Sequence, residues 1–308
     1  MSAPSGSSTR LKLWGVRGSI PVPGPGTVRY GGNTACVEVR ADGELIILDA
    51  GSGIRELGLA LESEFGSRPI NLSLLITHVH WDHIQGFPFF VPSYDDKNQI
   101  RIFGYNGSDT GLREILQGQM AAPFFPVALY DLPGKIKFES PETMDFKIGK
   151  VPVRARMLNH PGVCVGYRIF TSKGSIAYLP DNEPYEAYKL HSAKSQHLLS
   201  PEQTKKRAQE DRAELVKFLQ GSDVLILDTQ YTDEEYQSHV GWGHGSLSMC
   251  VSLALDAGVR KLILFHHDPT HDDQMIDKMV ETARKIAAKS ENHLEVEGAR
   301  EGAEMTLN

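Results

Sequence analysis

Apolar and polar positions fall into blocks along this chain, and the blocks predict most of its elements. Leu11-Lys12-Leu13-Trp14-Gly15-Val16 alternates with period two, as a strand with one buried face does. Residues 36–40 and 45–48 read as a hairpin turning at Ala41-Asp42-Gly43. Strand-length apolar runs recur at 72–76, 100–104, 151–158, 175–179, 224–227 and 261–265. A further strand is expected at 135–138, with short terminal strands at 294–296 and 305–307. Helical spacing marks 54–65, 110–120, 247–257 and 273–290. Ser200-Pro201-Glu202 reads as a helix start with proline in the first position, and the helix runs to Leu219 through dense alternating charge. Such a charge run reads as a solvated helical face.

Residues 1–10 are small and polar and predict a disordered tail without the apolar core of a secretion signal. The Gly- and Pro-rich loop from Arg17 to Thr34 is longer than an ordinary connection, so it is either a connector or a lid or binding loop. No composition shift or low-complexity array marks a linker, and one α/β domain is expected over 11–308. A helical insertion near 182–220, polar and mixed over 185–197, interrupts it.

With 308 residues, 40% hydrophobic and 23% charged, the chain has the composition of a soluble globular protein. A formal net charge of -7 offers no bulk basic field and argues against a long nucleic acid as partner. Three cysteines, Cys36, Cys164 and Cys250, are widely spaced and suit neither a disulfide framework nor a thiolate metal site. They fit a reducing, cytoplasmic setting. No apolar run reaches membrane-spanning length, and a homodimer stays open.

The strongest chemistry lies in Thr77-His78-Val79-His80-Trp81-Asp82-His83-Ile84-Gln85-Gly86, directly after the apolar run at 72–76. Three histidines and an aspartate within six residues at a strand end are hard to explain as packing, because polar groups are costly to bury unpaired. Imidazole and carboxylate are ligands suited to zinc, iron or manganese. His78 and His80 are two apart and would share one side of an extended segment; Asp82 and His83 would point differently, toward a second ion. Asp49, ahead of Gly51 and Gly53, reads structurally as a helix-start cap. Phe87-Pro88-Phe89-Phe90 beside the motif serves the core or walls a planar substrate.

The stretch resembles the His-x-His-x-Asp-His motif of the metallo-β-lactamase superfamily, and Asp49-Ala50-Gly51-Ser52-Gly53 resembles its first motif, whose aspartate braces the metal loop. The resemblance implies an αββα four-layer sandwich and two divalent ions, zinc first, with manganese or iron as alternatives. It assigns His78, His80 and His160 to one ion, Asp82, His83 and His266 to the other, and Asp181 between them, with His267 as the rival of His266. His160 and Asp181 each follow an apolar strand, though neither would stand on spacing alone. The order Asp228-Thr229-Gln230-Tyr231, His244-Gly245-Ser246, Leu264-Phe265-His266 resembles the branch holding ribonuclease Z and cyclic phosphodiesterases. By that resemblance His244 acts on a phosphate and Asp228 orients it, so the implied catalytic set is Asp82, His244 and Asp228. Gly243 and Gly245 are read as letting the backbone approach the substrate.

The implied chemistry is phosphodiester hydrolysis by a hydroxide bridging two metals, with His244 stabilising the phosphorane charge or protonating the leaving alkoxide. No long Gly/Pro-rich insertion resembles a tRNA-clamping arm, which favours a small phosphodiester, a 3′,5′-cyclic nucleotide above all. The alternatives are a lactonase or other carboxyl-ester hydrolase, an RNA 3′-processing nuclease and a non-catalytic metal sensor.

Overall fold

The apolar runs become the strands of two seven-stranded mixed sheets flanked by helices. The computed structural model describes residues 8–105, 111–185 and 200–308. In chain order these form β1 (Thr9–Gly15), β2 (Cys36–Ala41), β3 (Glu44–Leu48), α1 (Ile54–Phe65), β4 (Asn71–Leu75), α2 (Trp81–Ile84), β5 (Gln99–Phe103), α3 (Gly111–Gln119), β6 (Lys135–Glu139) and β7 (Asp145–Ile148). Then come β8 (Val151–Met157), β9 (Val165–Thr171), β10 (Gly174–Leu179), α4 (Pro201–Leu219), β11 (Val224–Asp228), α5 (Asp233–His239), α6 (Leu247–Asp256), β12 (Lys261–Phe265), α7 (Asp273–Ala287), β13 (Glu295–Gly298) and β14 (Glu304–Leu307).

The first sheet has the order β14-β1-β2-β3-β4-β5-β6, antiparallel from β14 to β3 and parallel from β3 to β6. Residues 45–48 of β3 are all buried, as are Leu72, Leu74 and Leu75 of β4, because parallel strands are covered on both faces. The antiparallel β1 keeps its alternation, with Thr9, Leu11 and Leu13 buried. The second sheet has the order β13-β12-β11-β10-β9-β8-β7, and β10 to β13 run parallel.

The described residues pack as two compact units, one from Met1–Arg154, Ile169–Gly174 and Arg300–Asn308, the other from Ala155–Arg168 and Ser175–Ala299. Three of their four boundaries fall inside the strands β8, β9 and β10 and the fourth in the short connection between β13 and β14, which is why no composition shift in the sequence marks them. Among the described residues no helix is long and apolar enough to cross a membrane.

The tail expected over 1–10 needs one correction. Thr9 and Arg10 belong to β1 and pair with Leu307 and Thr306, which anchors that end of the chain in the sheet. Residues 1–7 lie outside the described residues, as do Thr110 of the expected 110–120 helix and 186–197 of the expected polar stretch. Four elements, α2, β7, β9 and α5, are not among those the sequence predicts. Within β9 the apolar run is broken by Gly166 and Arg168, yet Arg168 is buried. Its guanidinium donates to the carbonyls of Phe218 (2.7 Å) and Gln220 (3.0 Å) and to Ser175 Oγ (3.0 Å), closing the C-terminal end of α4 with a cation. The other end of α4 carries a capping box between Ser200 and Gln203.

Replacing Arg168 with methionine keeps the volume of the side chain and removes its donors. Hydrogen bonds to a charged group contribute about 1.5–3 kcal/mol, so the Arg168→Met protein is expected to be destabilised by about that amount. A urea titration checks this, and an unchanged midpoint would show that the end of α4 is held by other contacts.

Candidate metal centre

Parallel register sets where the chemistry can sit. Leu48 of β3 lies beside Leu75 of β4, so the residues following both strands emerge at one end of the sheet. The carboxyl ends of parallel strands are where open α/β sheets carry their ligands. Asp49 follows β3 with φ 62° and is fully buried. Its carboxylate accepts from Thr77 N (2.8 Å), from Thr77 Oγ1 (2.9 Å to Oδ2) and from His83 Nδ1 (2.8 Å). Asp49 is therefore the brace and not the helix cap: α1 starts behind Gly53 with no side-chain cap.

The motif is extended only as far as His80, which is the N-cap of the single turn α2. Asp82 and His83 project from that turn. Ala50 N donates to the His83 carbonyl (2.8 Å) and Gly86 N to the Ala50 carbonyl (2.9 Å), clipping the turn to the strand end. A side chain at Gly86 would collide with the Gly51 carbonyl, so glycine there is a packing requirement. The His78 ring lies 4.5 Å from that of His80 and 4.2 Å from that of His83, and His83 Nε2 is 3.3 Å from Asp82 Oδ2. Ser19 N donates to Asp82 Oδ2 (2.7 Å), so the long Gly/Pro loop lies against the motif. Both ends of that loop are fastened where Val16 N and Arg17 N donate to the Asn33 carbonyl and Asn33 donates to Glu301. Burial raises the Glu301 pKa, partly offset by the Asn33 hydrogen bonds. Phe87 and Phe90 are core residues, while Phe89 is exposed and meets Phe125 edge to face.

The second unit repeats the device. Leu179, Leu227 and Leu264 stand in parallel register, so Asp181, Asp228 and His266 gather at one sheet end. His266 is at φ 61°, and its Nε2 is 3.3 Å from Asp181 Oδ1. Its Nδ1 donates to Gln230 Oε1 (3.0 Å). The Gln230 amide cannot turn over, because its Nε2 donates to Asp268 Oδ2 (3.1 Å). Burial works against the Asp268 carboxylate, yet hydrogen bonds from Thr270 and Gln230 hold its pKa below the ordinary value. Of the adjacent pair, His266 faces Asp181, while His267 Nε2 bonds the Ala299 carbonyl (2.9 Å). His160 donates from Nδ1 to the Gly243 carbonyl (2.9 Å) and places Nε2 3.8 Å from Asp181 Oδ2.

His244 Nδ1 is 3.0 Å from Asp228 Oδ2 and 3.7 Å from Asp181 Oδ2, and its ring stacks on that of His266 at 5.1 Å. One donor atom from each of Asp181, His244 and His266 falls within 4.8 Å of the others. Gly243 and Gly245 also have a packing role within the protein. A Cβ at Gly243 would strike the His160 ring and one at Gly245 the Asp228 carbonyl, so both glycines let the loop close on the protein itself.

The donor chemistry fits divalent ions. His83, His160 and His266 each commit Nδ1–H to an acceptor, which fixes the tautomer and leaves Nε2 as a lone-pair donor, the arrangement of ligating histidines. Buried carboxylates at Asp82 and Asp181 supply the charge that such ions neutralise. The sequence assigns no role to Gln230, although it lies in the Asp228–Tyr231 element, and does not single out Glu183. Each stands two positions beyond a carboxylate at a strand end, the one signal that could have raised them.

The family model of the beta-lactamase superfamily domain matches residues 45–201. Ribonuclease Z from Thermoplasma acidophilum is 26% identical over 307 aligned residues, covering 91% of this chain and 92% of its own. Among solved structures, the metallo-beta-lactamase fold protein YhfI from Bacillus subtilis aligns at TM-score 0.67 and 15% identity, over 98% of this chain and 100% of its own. Unliganded yeast PDE1 aligns at TM-score 0.66 and 16% identity, over 98% and 99%. At those identities the structural likeness speaks for the fold alone, and it is the α/β fold the sequence predicts. The chain belongs to the beta-lactamase superfamily domain family and has the metallo-β-lactamase fold.

Proposed function

We propose that this protein is a metal-dependent hydrolase of phosphodiester bonds. The observation that carries the reading is the His244–Asp228 pair beside Asp181 and His266. A thioester expels a thiolate, which leaves without a proton, whereas the alkoxide leaving a phosphodiester gains from a positioned proton donor.

Following the family's motif, His78, His80 and His160 would hold one divalent ion and Asp82, His83 and His266 the other, with Asp181 shared. Such ions, when bound, activate a water and neutralise phosphoryl charge. The chain's own part is to orient and to move one proton. Asp228 accepts at His244 Nδ1, which fixes the ring and leaves Nε2 to protonate the leaving oxygen. Asp228 Oδ2 also accepts from Asn182 N (3.1 Å) and Oδ1 from Gln230 N (3.0 Å), so the carboxylate itself is held.

A small phosphodiester, with a 3′,5′-cyclic nucleotide first, is the proposed substrate. A second reading, RNA 3′-end processing, is favoured by one specific observation: the ribonuclease Z of T. acidophilum aligns over nearly the whole of both chains. Zinc is the first candidate metal and the cytoplasm the proposed location. Protein loaded separately with zinc, manganese and iron should be assayed on cyclic nucleotides, bis(p-nitrophenyl) phosphate, a lactone and a precursor tRNA. Turnover of the lactone alone would sink the phosphodiester reading, and cleavage of the precursor tRNA alone would select the second.

His244→Ala is expected to lower kcat on a phosphodiester by roughly 10²-fold or more, the size of a lost general acid, with metal content unchanged. Asp228→Asn should give a smaller loss of the same kind. Metal analysis alongside the rate decides the role, since joint loss of metal and activity would make His244 a ligand. Asp49→Ala removes the partner that orients His83. Metal affinity, read by competition with a chelator, should fall by about 10–100-fold, the usual effect of losing such a partner.

A further inference from the structure

The segment between α5 and α6 is fastened at points that flank one side chain. Glu183, fully buried, accepts from Gly241 N (2.6 Å) and Gly243 N (3.3 Å), the amides on either side of Trp242, and from the Tyr236 hydroxyl (2.8 Å). Both glycines lie in the left-handed region, at φ 92° and 91°, where other residues are strained. Between them Trp242 N donates to the His239 carbonyl (3.0 Å). A buried carboxylate that accepts from two backbone amides and a hydroxyl thus holds a stretch whose central indole is 60% exposed.

Burial does not account for this indole. Its ring meets His239 edge to face (4.8 Å, 80°), His239 stacks on Tyr231 (4.4 Å, 20°), and Tyr231 meets His244 edge to face (6.0 Å, 80°). The rings form a continuous ladder from His244 to Trp242. The two residues are also two positions apart in the chain, so their Cα atoms are separated by at most about 7 Å. The chain separation and the ring ladder together keep the indole in the neighbourhood of His244.

We propose that Trp242 is the platform on which the base of a nucleotide substrate stacks while its phosphate lies at His244. The proposal rests on the phosphodiester reading and narrows it to nucleotides. Stacking uses a π-face that every base has, so this contact separates nucleotides from sugar phosphates and does not choose among bases. Glu183 is the positioning residue, acting through the two amides that flank the indole.

The test is calorimetric binding to the metal-loaded protein, with the four ribonucleoside 5′-monophosphates and ribose 5-phosphate as probes. The wild-type protein should bind the best nucleotide more tightly than ribose 5-phosphate. Trp242→Ala should weaken that nucleotide by about 10-fold, the scale of one base–aromatic stack, and leave ribose 5-phosphate unchanged. Trp242→Phe should restore part of the difference, and Glu183→Gln should reduce nucleotide preference with the indole still present. Equal weakening of both probes by Trp242→Ala would overturn the proposal, because it would mean a displaced loop. So would an unchanged nucleotide affinity. A wild-type protein that binds ribose 5-phosphate without preferring any nucleotide overturns the platform alone. One that binds neither probe and cleaves no phosphodiester overturns the underlying reading and the platform with it.

Discussion

A buried anion at the end of β3 governs the first half of the site. Asp49 is fully buried, and its carboxylate is filled by three donors from the segment that follows β4. One of those bonds sets the His83 tautomer, and the two from Thr77 fix where the motif begins. Asp49 sits at φ 62°, a region that costs about 1–3 kcal/mol for a residue other than glycine. The network over-determines that conformation. His266 shows the same positive φ in the second unit, where Gln230 takes the part of Asp49. The acceptors differ in kind: His83 and His244 bond carboxylates, whereas His160 and His266 bond a carbonyl and an amide. A carboxylate partner makes an imidazole more basic.

Much of this was legible in the sequence because the signals were periodic or chemically rare. Helices at 54–65 and 201–219 have the predicted bounds, since an apolar stripe in one and a proline-led capping box in the other define them. The central strands announced themselves as uninterrupted apolar runs, the mark of parallel strands covered on both faces. What was not legible depends on contacts distant in sequence. Arg168 reads as a polar break in a strand until α4 is placed beside it. The choice between His266 and His267 depends on Ala299, 32 residues from His267. The glycines around His244 carry a sequence signal, but not its meaning; only the positions of His160 and Asp228 show what they accommodate.

Charge is the remaining constraint on substrate. The acidic balance, read from the sequence, argues against a long nucleic acid, yet that argument is weaker than the bare number suggests. Two divalent ions would bring the formal net charge from -7 to -3, and they would concentrate positive charge at the site. A small phosphodiester needs only that local field. A long RNA needs several further phosphate contacts, each releasing counterions. Three of the cations of the charged helix α4 are matched, Lys206 by Glu210 (3.9 Å), Arg207 by Asp211 (3.0 Å) and Arg212 by Asp256 (2.5 Å). Arg10 and Arg40 are likewise matched by Glu304 and Glu64. Cations already neutralised by neighbouring carboxylates contribute little to phosphate binding. This distribution of charge is the physical basis of the small-phosphodiester proposal.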